Sequence, residues 1–320
     1  MLECLSPGLL ATIQDLGRHG MQSYGVGVSG AMDVFALRVA NALLGNPDTA
    51  PALEITAGGA EFVAQGTAWY AVSGADIGAV LDGEVAPLCA PFRVSTGQRI
   101  RFAGARRGQR AYLAVVGGFS ADLVFGSAAT DLRGGFGGFH GRGLVRGDRL
   151  CAAPERILPR IPARVFTSLA HPGVVSGEPL ALLPGPAFAQ LSTDDQERLL
   201  HAEFTVSRIS DRMGVRLEES LPSAASLPQA LSAPVAFGTL QLPPDGRGIL
   251  LGADRQTTGG YPVAGVVAGI DHSRLAQARP GDRLSFRAVE LAEARASWHA
   301  RERQLAQLCL AASVWWRESA

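Results

Sequence analysis

The chain contains no lysine; all 29 of its basic residues are arginine. This excludes a P-loop lysine, a Schiff-base lysine and a biotinyl-lysine on this chain. Any anion must be met by Arg, by backbone N–H groups or by hydroxyls. The planar Arg fork suits carboxylate or phosphate, because it donates two parallel hydrogen bonds. A GC-rich genome is the simpler cause of the missing lysine and also fits the abundant Ala and Gly. The four cysteines, Cys4, Cys89, Cys151 and Cys309, form no C-x-x-C pair, which points to a reducing compartment and against a disulfide framework. The six histidines are scattered and contain no H-E-x-x-H, so no zinc site is expected. Excess charge is missing too: 29 acidic residues balance the 29 basic ones, which leaves no basic face for nucleic acid. No apolar run approaches the roughly 18 residues a membrane span needs. The start, MLECLSPGLLATIQDLG, has no basic lead and carries Glu3 early, unlike a signal peptide. A soluble, cytoplasmic protein is expected.

The 320 residues suffice for two domains, and a hydrophobic content of 47% supports a sizeable core. Short β-rich runs are broken closely by 39 glycines and 19 prolines. Examples are Ala52–Ile55, Ala68–Ser73, Gln98–Phe102, Ala111–Val116, Gly248–Gly252 and Arg283–Phe286. That punctuation predicts barrels or sandwiches, not alternating strand–helix units. Three helices are predicted. The first runs from Ala31 to Leu44, with Ser29 as N-cap, Asp33 in its first turn and Gly45-Asn46-Pro47 as its stop. The second spans Ser192–Glu203 and opens STDDQE. The third runs from about Val289 to Trp316. It carries a stripe of Leu291, Ala294, Trp298, Leu305, Leu308, Ala312 and Trp315, interrupted by Arg301, that packs on its own domain or on a partner helix. An internal echo pairs Gly74-Ala75-Asp76 and a later Gly97–Phe102 with Gly252-Ala253-Asp254 and a later Gly281–Phe286, which suggests duplicated barrels. Pro-rich sequence from Pro154 to Pro186 marks the boundary between them.

Four stretches could carry chemistry. Gly25, Gly27 and Gly30 of YGVGVSGAMD fit G-x-G-x-x-G, but the preceding QDLGRHGMQSY is no buried strand, so a dinucleotide turn is not expected. The glycines instead shape a loop leading to a helix N-terminus, where an anion can still bind. In TDLRGGFGGFHGR, two glycine pairs lie between Arg133 and Arg142, and such glycines can form an anion nest or a wide loop with solvated arginines. In GTLQLPPDGRGILLGADRQTTGGYP, a turn and an apolar strand lead into a polar loop, which is a ligand site on a rigid scaffold or a hydrogen-bonded turn. In SRISDRMGVRL, Arg208, Arg212 and Arg216 would share a face of a strand and could point at an anion, or are three solvated arginines. No nucleophile with its base and no clear carboxylate pair is evident.

Six ordered blocks together resemble a known family. They are TIQDLGRHGMQSYGVGVSGAMD, NALLGNPDTAPALEIT, TDLRGGFGGFHGRGLVRGDRL, SDRMGVRL, PPDGRGILLGADRQTTGGYP and LAQARPGDRLSF. The resemblance is to the family of 5-oxoprolinase C subunits. That family is also called allophanate hydrolase subunit 2, biotin-dependent carboxyltransferase family protein, or antagonist of the sporulation kinase inhibitor. The resemblance runs from about residue 5 to residue 286 and leaves the tail unmatched. It implies a mainly β fold of two cyclophilin-like β-barrel subdomains with a few helices: 1–160, 161–287 and a C-terminal helix over 288–320. It implies work beside the homologous 5-oxoprolinase B subunit and the A subunit, in a complex that opens 5-oxo-L-proline to L-glutamate with ATP, and its Mg²⁺, going to ADP and phosphate. The chain alone would be inactive and would hold no covalent cofactor. Two other activities are implied as alternatives: a carboxyltransferase component of a biotin-dependent urea or amide carboxylase, and a non-enzymatic antagonist of a kinase inhibitor. Matching blocks and chemistry single out Gln14, Asp15 and Arg18 near the site, and Asp131, Arg133 and Arg142 for anion binding. Asp254, Gln256, Thr257, Thr258 and Tyr261 are the candidates on the second loop. No established catalytic residue is carried over.

Overall fold

A computed structural model of the chain describes residues 1–152 and 177–318. The expected boundary at 160/161, like most of the Pro154–Pro186 stretch, lies outside the described residues. The chain divides into two units. Residues 1–18, 29–152 and 302–318 belong to the first, and 19–28 and 177–301 to the second. Both are built mainly from antiparallel strands that curl into barrel-like sheets, with a few helices.

In the first unit, a six-stranded sheet has the order Arg149–Leu150, Leu2–Pro7, Ala60–Ala64, Arg99–Phe102, Ala79–Leu81, Glu84–Val85. A five-stranded sheet has the order Leu10–Gln14, Ala52–Thr56, Arg107–Val115, Ala68–Asp76, Pro91–Val94. The core between them includes Leu2, Ile13, Leu53, Ile55, Phe62, Val72, Ile100 and Leu113. Strand Ala60–Ala64 alternates buried and half-buried residues, the period expected when one face is covered. Strand Ala52–Thr56 is buried throughout. Leu53 and Ile55 face the barrel core, and the opposite face lies under helix α1 (Val34–Leu43), with Ala52 packed against it.

Helix α1 starts later than expected. Its N-cap is Asp33, whose side chain accepts from Ala36 N at 3.0 Å; Ser29 is not the cap. Ser29 has φ of 52° and Gly30 has φ of 85°, and both are incompatible with a right-handed turn. The chain from 31 to 33 is instead drawn onto the sheet. Ala31 N donates to Asp15 O, Met32 N to Glu54 Oε2 at 2.9 Å, and Asp33 N to Tyr112 Oη at 2.7 Å.

The second unit has a six-stranded sheet in the order Gly214–Ser220, Arg247–Leu251, Thr239–Gln241, Val263–Val267, Leu180–Pro184, Phe286–Ala288, and its last pair is parallel. A short ribbon pairs Ala233–Pro234 with Thr258–Gly259. The core gathers Leu182, Leu199, Phe204, Leu217, Leu240, Leu250 and Phe286. Helix α2 (Thr193–His201) begins at Ser192, which caps Asp195 N as its STDDQE opening predicts. Helix α3 (His272–Gln277) is an addition to the three helices expected; it is short and follows a 3-10 turn. Helix α4 (Leu291–Glu318) carries the expected stripe in part. Leu305, Leu308 and Ala312 pack into the α1 cluster of the first unit, and Ala294 packs beside Ala181, Ala268 and Val289 in the second. Trp298 is 39% and Leu291 53% exposed, so the N-terminal part of the stripe is half covered. No helix among the described residues is long and apolar enough to cross a membrane.

Candidate functional site

The first unit brings Gln14, Asp15, Arg18 and Asp131 together at the end of strand Leu10–Gln14. Gln14 is fully buried, and its Nε2 donates to Thr12 Oγ1 at 3.0 Å and to Thr130 O at 3.3 Å. Asp15 Oδ1 accepts from Gly17 N at 2.7 Å and Ser127 Oγ at 2.6 Å, and its Oδ2 accepts from Ala128 N at 2.6 Å. Arg18 is 1% exposed. It donates to Ala129 O, lies over the Phe136 ring at 4.8 Å and stands 4.0 Å from Asp131 Oδ2. A Cβ on Gly137 would fall 2.8 Å from Arg18 Nη2 and 2.3 Å from Ala129 O, so a glycine is needed for this close approach.

The Gly-rich loop does curl its N–H groups onto an anion, but that anion is its own carboxylate. Asp131 Oδ1 accepts from Arg133 N at 3.1 Å and Gly134 N at 2.8 Å. The Arg133 side chain is exposed. Arg142 lies outside this group; it grips both oxygens of Asp148 at 2.7 and 2.9 Å and covers Phe139 at 5.4 Å. The same fork holds the Asp148 carboxyl below its ordinary range and pushes the Arg142 guanidinium up. The first-unit residues therefore tie loops 15–18 and 124–136 to each other.

Beside them, three adjacent strands present a buried polar row. Thr12 pairs with Glu54, and Glu54 with Tyr112. Tyr112 donates to Glu54 Oε2 at 2.6 Å while accepting from Asp33 N. Burial, reinforced by Glu54 and Asp33, drives the Tyr112 phenol well above its ordinary pKa, so it stays protonated as this bridge requires. In the sequence this row had one visible signal, a Glu inside the apolar strand ALEIT.

In the second unit the ADRQTTGGYP loop folds over the sheet. Asp254 makes a bidentate pair with Arg212 at 2.8 and 2.9 Å, and the two side chains are 9% and 5% exposed. Arg208 and Arg216 are exposed, so the three arginines do not share a face. The break comes from the loop before strand Gly214–Ser220, which turns Arg212 inward. Gln256 Nε2 reaches Gln241 Oε1 at 3.4 Å. Gln241 is 1% exposed, and its Nε2 has no hydrogen-bond partner among the described residues. A Cβ on Gly259 would fall 2.3 Å from that Nε2. Thr257 O accepts from Val235 N, Thr258 pairs with Pro234 in the ribbon, and Tyr261 is 44% exposed at the rim.

Arg255 donates to Val235 O at 3.3 Å and Gly252 O at 3.1 Å. Nearby, His272 packs on Phe237 with ring centroids 4.6 Å apart, and its Nε2 donates to Val267 O at 3.0 Å. Burial first, then the field of Arg255 and Arg301 against that of Asp271, pushes the His272 imidazole down to about 4. Sequence reasoning places Arg255 in the polar ADRQTTGGYP loop but missed Gln241 and His272. Gln241 sits in an apolar strand-like run, and His272 belongs to no spaced motif.

The family model for the carboxyltransferase domain, subdomains A and B, matches residues 24–288. The chain belongs to that family. Within it the chain is 36% identical to the 5-oxoprolinase C subunit of Haemophilus influenzae, covering 92% of this chain and 93% of that one. It is 35% identical to the 5-oxoprolinase C subunit of Escherichia coli, covering 96% and 97%. The family fold also superposes on the crystal structure of Kluyveromyces lactis urea carboxylase with a TM-score of 0.84 at 26% identity. That match takes in 96% of this chain but 29% of the urea carboxylase chain.

Proposed function

We propose that the chain is one component of an ATP-dependent 5-oxoprolinase, acting with the homologous B subunit and the A subunit to hydrolyse 5-oxo-L-proline to L-glutamate. The observation that carries this reading is the end-to-end match with whole 5-oxoprolinase C subunits, in which each chain covers nearly all of the other. The chemistry is consistent with it. A lactam carbonyl is a poor electrophile because of amide resonance, and phosphorylation of its oxygen removes that resonance. Such a transfer depends on positioning and on charge neutralisation. The second-unit loop offers an arginine and two side-chain amides for holding a small polar amide. Nucleotide with Mg²⁺ is an input to the complex. Among the described residues no group of three His, Cys, Asp or Glu suits a metal. The nest amides at 133 and 134 already serve Asp131. In this reading ATP and its Mg²⁺ act in the assembled complex, which we place in the cytoplasm.

The test is reconstitution with the A and B subunits and measurement of ADP release that depends on 5-oxoproline. A second reading, a carboxyltransferase component acting on urea, is favoured by the superposition on urea carboxylase. It predicts consumption of bicarbonate with a biotin carboxylase and a biotin carrier. A complete complex that turns over no 5-oxoproline while carboxylating urea would replace the first reading with the second.

A further inference from the structure

The first unit carries a cavity that none of the sequence-predicted site residues lines. Three segments build it. Phe119 pairs with Ala152, Ser120 N donates to Cys151 O at 2.8 Å, and Asp122 N donates to Gly138 O at 2.8 Å. The space enclosed is about 250 Å³ and opens to solvent, and Asp122, Phe139, His140, Arg149 and Cys151 are among its lining residues. Of the four cysteines, Cys151 alone is exposed, and it shares this cavity with an imidazole and a guanidinium.

The imidazole is held in one orientation. Asp122 Oδ2 accepts from His140 N at 3.2 Å, which fixes a left-handed backbone with φ of 55°, and the same oxygen stands 3.4 Å from His140 Nδ1. A proton on Nδ1 faces that carboxylate, so Nε2 is the ring nitrogen that remains basic. The Phe139 ring backs the imidazole with centroids 4.5 Å apart. Glu3 meets Arg149 through Nε at 3.5 Å, and the terminal N–H groups of that guanidinium make no hydrogen bond among the described residues. A thiol, a proton acceptor and a cation around one open cavity suit exchange with an anionic disulfide. The thiol must lose its proton to attack, and a cation draws the anion in.

We infer that this cavity is a modification site, at which Cys151 exchanges with the disulfide of a carboxylate-bearing, low-molecular-weight thiol. The Cys151 thiol passes its proton through water to His140 Nε2. The thiolate then attacks one sulfur of the reagent, so that a new bond to Sγ forms as the reagent's S–S bond breaks. The departing thiolate takes the proton back from His140. The products are one protein mixed disulfide and one free thiol, and the reagent itself is the oxidant. Arg149 attracts the carboxylate, and Asp122 is a positioning residue that acts through His140. Free thiol reverses the reaction, so occupancy follows the ratio of disulfide to thiol in the surroundings. The site is independent of the 5-oxoprolinase reading.

The experiment treats the full chain at low ionic strength with three reagents: glutathione disulfide (anionic), hydroxyethyl disulfide (neutral) and cystamine (cationic). Mixed disulfide at Cys151 is followed by intact mass and peptide mapping. Each rate is divided by that of N-acetylcysteine amide with the same reagent, which removes intrinsic reactivity. The expected order is glutathione disulfide fastest and cystamine slowest. The chain as a whole has no net charge, so this order reports the local field. Arg149→Gln is expected to slow glutathione disulfide about fivefold, the upper range for an exposed ion pair, and to leave hydroxyethyl disulfide unchanged. Added salt should remove the same advantage from the parent. His140→Gln is expected to slow all three reagents alike, by about threefold, because the thiol loses its proton acceptor. If Arg149→Gln does not fold, the salt dependence of the parent decides. Normalised rates indifferent to reagent charge and salt, parent rates in both variants, or no mixed disulfide at Cys151 overturn the inference and leave an ordinary exposed thiol.

Discussion

Single side chains in this protein divide into those that hold loops and those with spare capacity. The Arg212–Asp254 pair holds a loop, and its burial makes it vulnerable to loss of one partner. Asp254→Asn leaves a buried guanidinium with a neutral neighbour and is expected to cost about 3 kcal/mol, seen as a shifted denaturation midpoint of the second unit. His272 gives a pH dependence. Its folded pKa of about 4 lies below the roughly 6.5 of the unfolded chain, so the unfolded state binds more protons between those values. The stability contributed by the neutral ring is complete above about pH 6.5 and is lost as pH falls toward 4. Melting temperatures measured across that window should fall more steeply for the parent than for His272→Gln, and parallel curves would remove His272 as the source. The thiols differ by burial: it pushes Cys4 up to about 11 and Cys89 to about 12, whereas Cys151 is exposed. Iodoacetamide at neutral pH should label Cys151 well before either, as read by peptide mass spectrometry.

At the scale of elements, the entry into α1 shows tertiary demands overriding local preference. A Ser-Gly-Ala-Met-Asp run can start a helix at several points. The sheet selects Asp33 because Glu54 and Tyr112 take the preceding N–H groups. Ser29 is left in a left-handed conformation with its buried hydroxyl unpartnered among the described residues. Ser29→Gly relieves both, and we expect stabilisation of about 0.5 kcal/mol by thermal melting, smaller than the full left-handed penalty because glycine also loses more entropy on folding. Asp33→Ala removes the cap that holds Ala36 N and is expected to cost about 1 kcal/mol. The two substitutions move stability in opposite directions although they lie four positions apart, which separates cap from loop. In the tail, Leu308 is 2% exposed against the α1 cluster, and Leu308→Ala is expected to cost about 2–5 kcal/mol.

On the scale of the whole molecule, one chain builds two mainly β units, and residues 302–318 of its last helix belong to the first of them. Removing residues 302–320 withdraws Leu305, Leu308 and Ala312 from the first unit's α1 cluster. Hydrogen exchange of α1 should then accelerate while the sheet Thr239–Gln241/Val263–Val267 of the second unit keeps its protection. Equal acceleration in both would mean that the two units unfold as one.

The strand-rich class, the Ser192 cap of α2 and the buried part of the α4 stripe are all legible in the sequence, because each depends on local period or on a short capping pattern. The six ordered blocks likewise carry the family. What local pattern does not encode is which groups meet across distant strands. Asp131, an anion-binding candidate by its sequence, supplies the anion for its own loop. Arg142 is engaged by Asp148. Arg212, one of three evenly spaced arginines in the sequence, is the one buried, in a bidentate pair with Asp254. Charge pairing is a property of tertiary neighbours. It is set by which strands and loops the fold brings together and by the burial that makes an unpaired group costly, and for that reason composition and spacing show which loops carry arginine while only the folded chain decides which carboxylate each one meets.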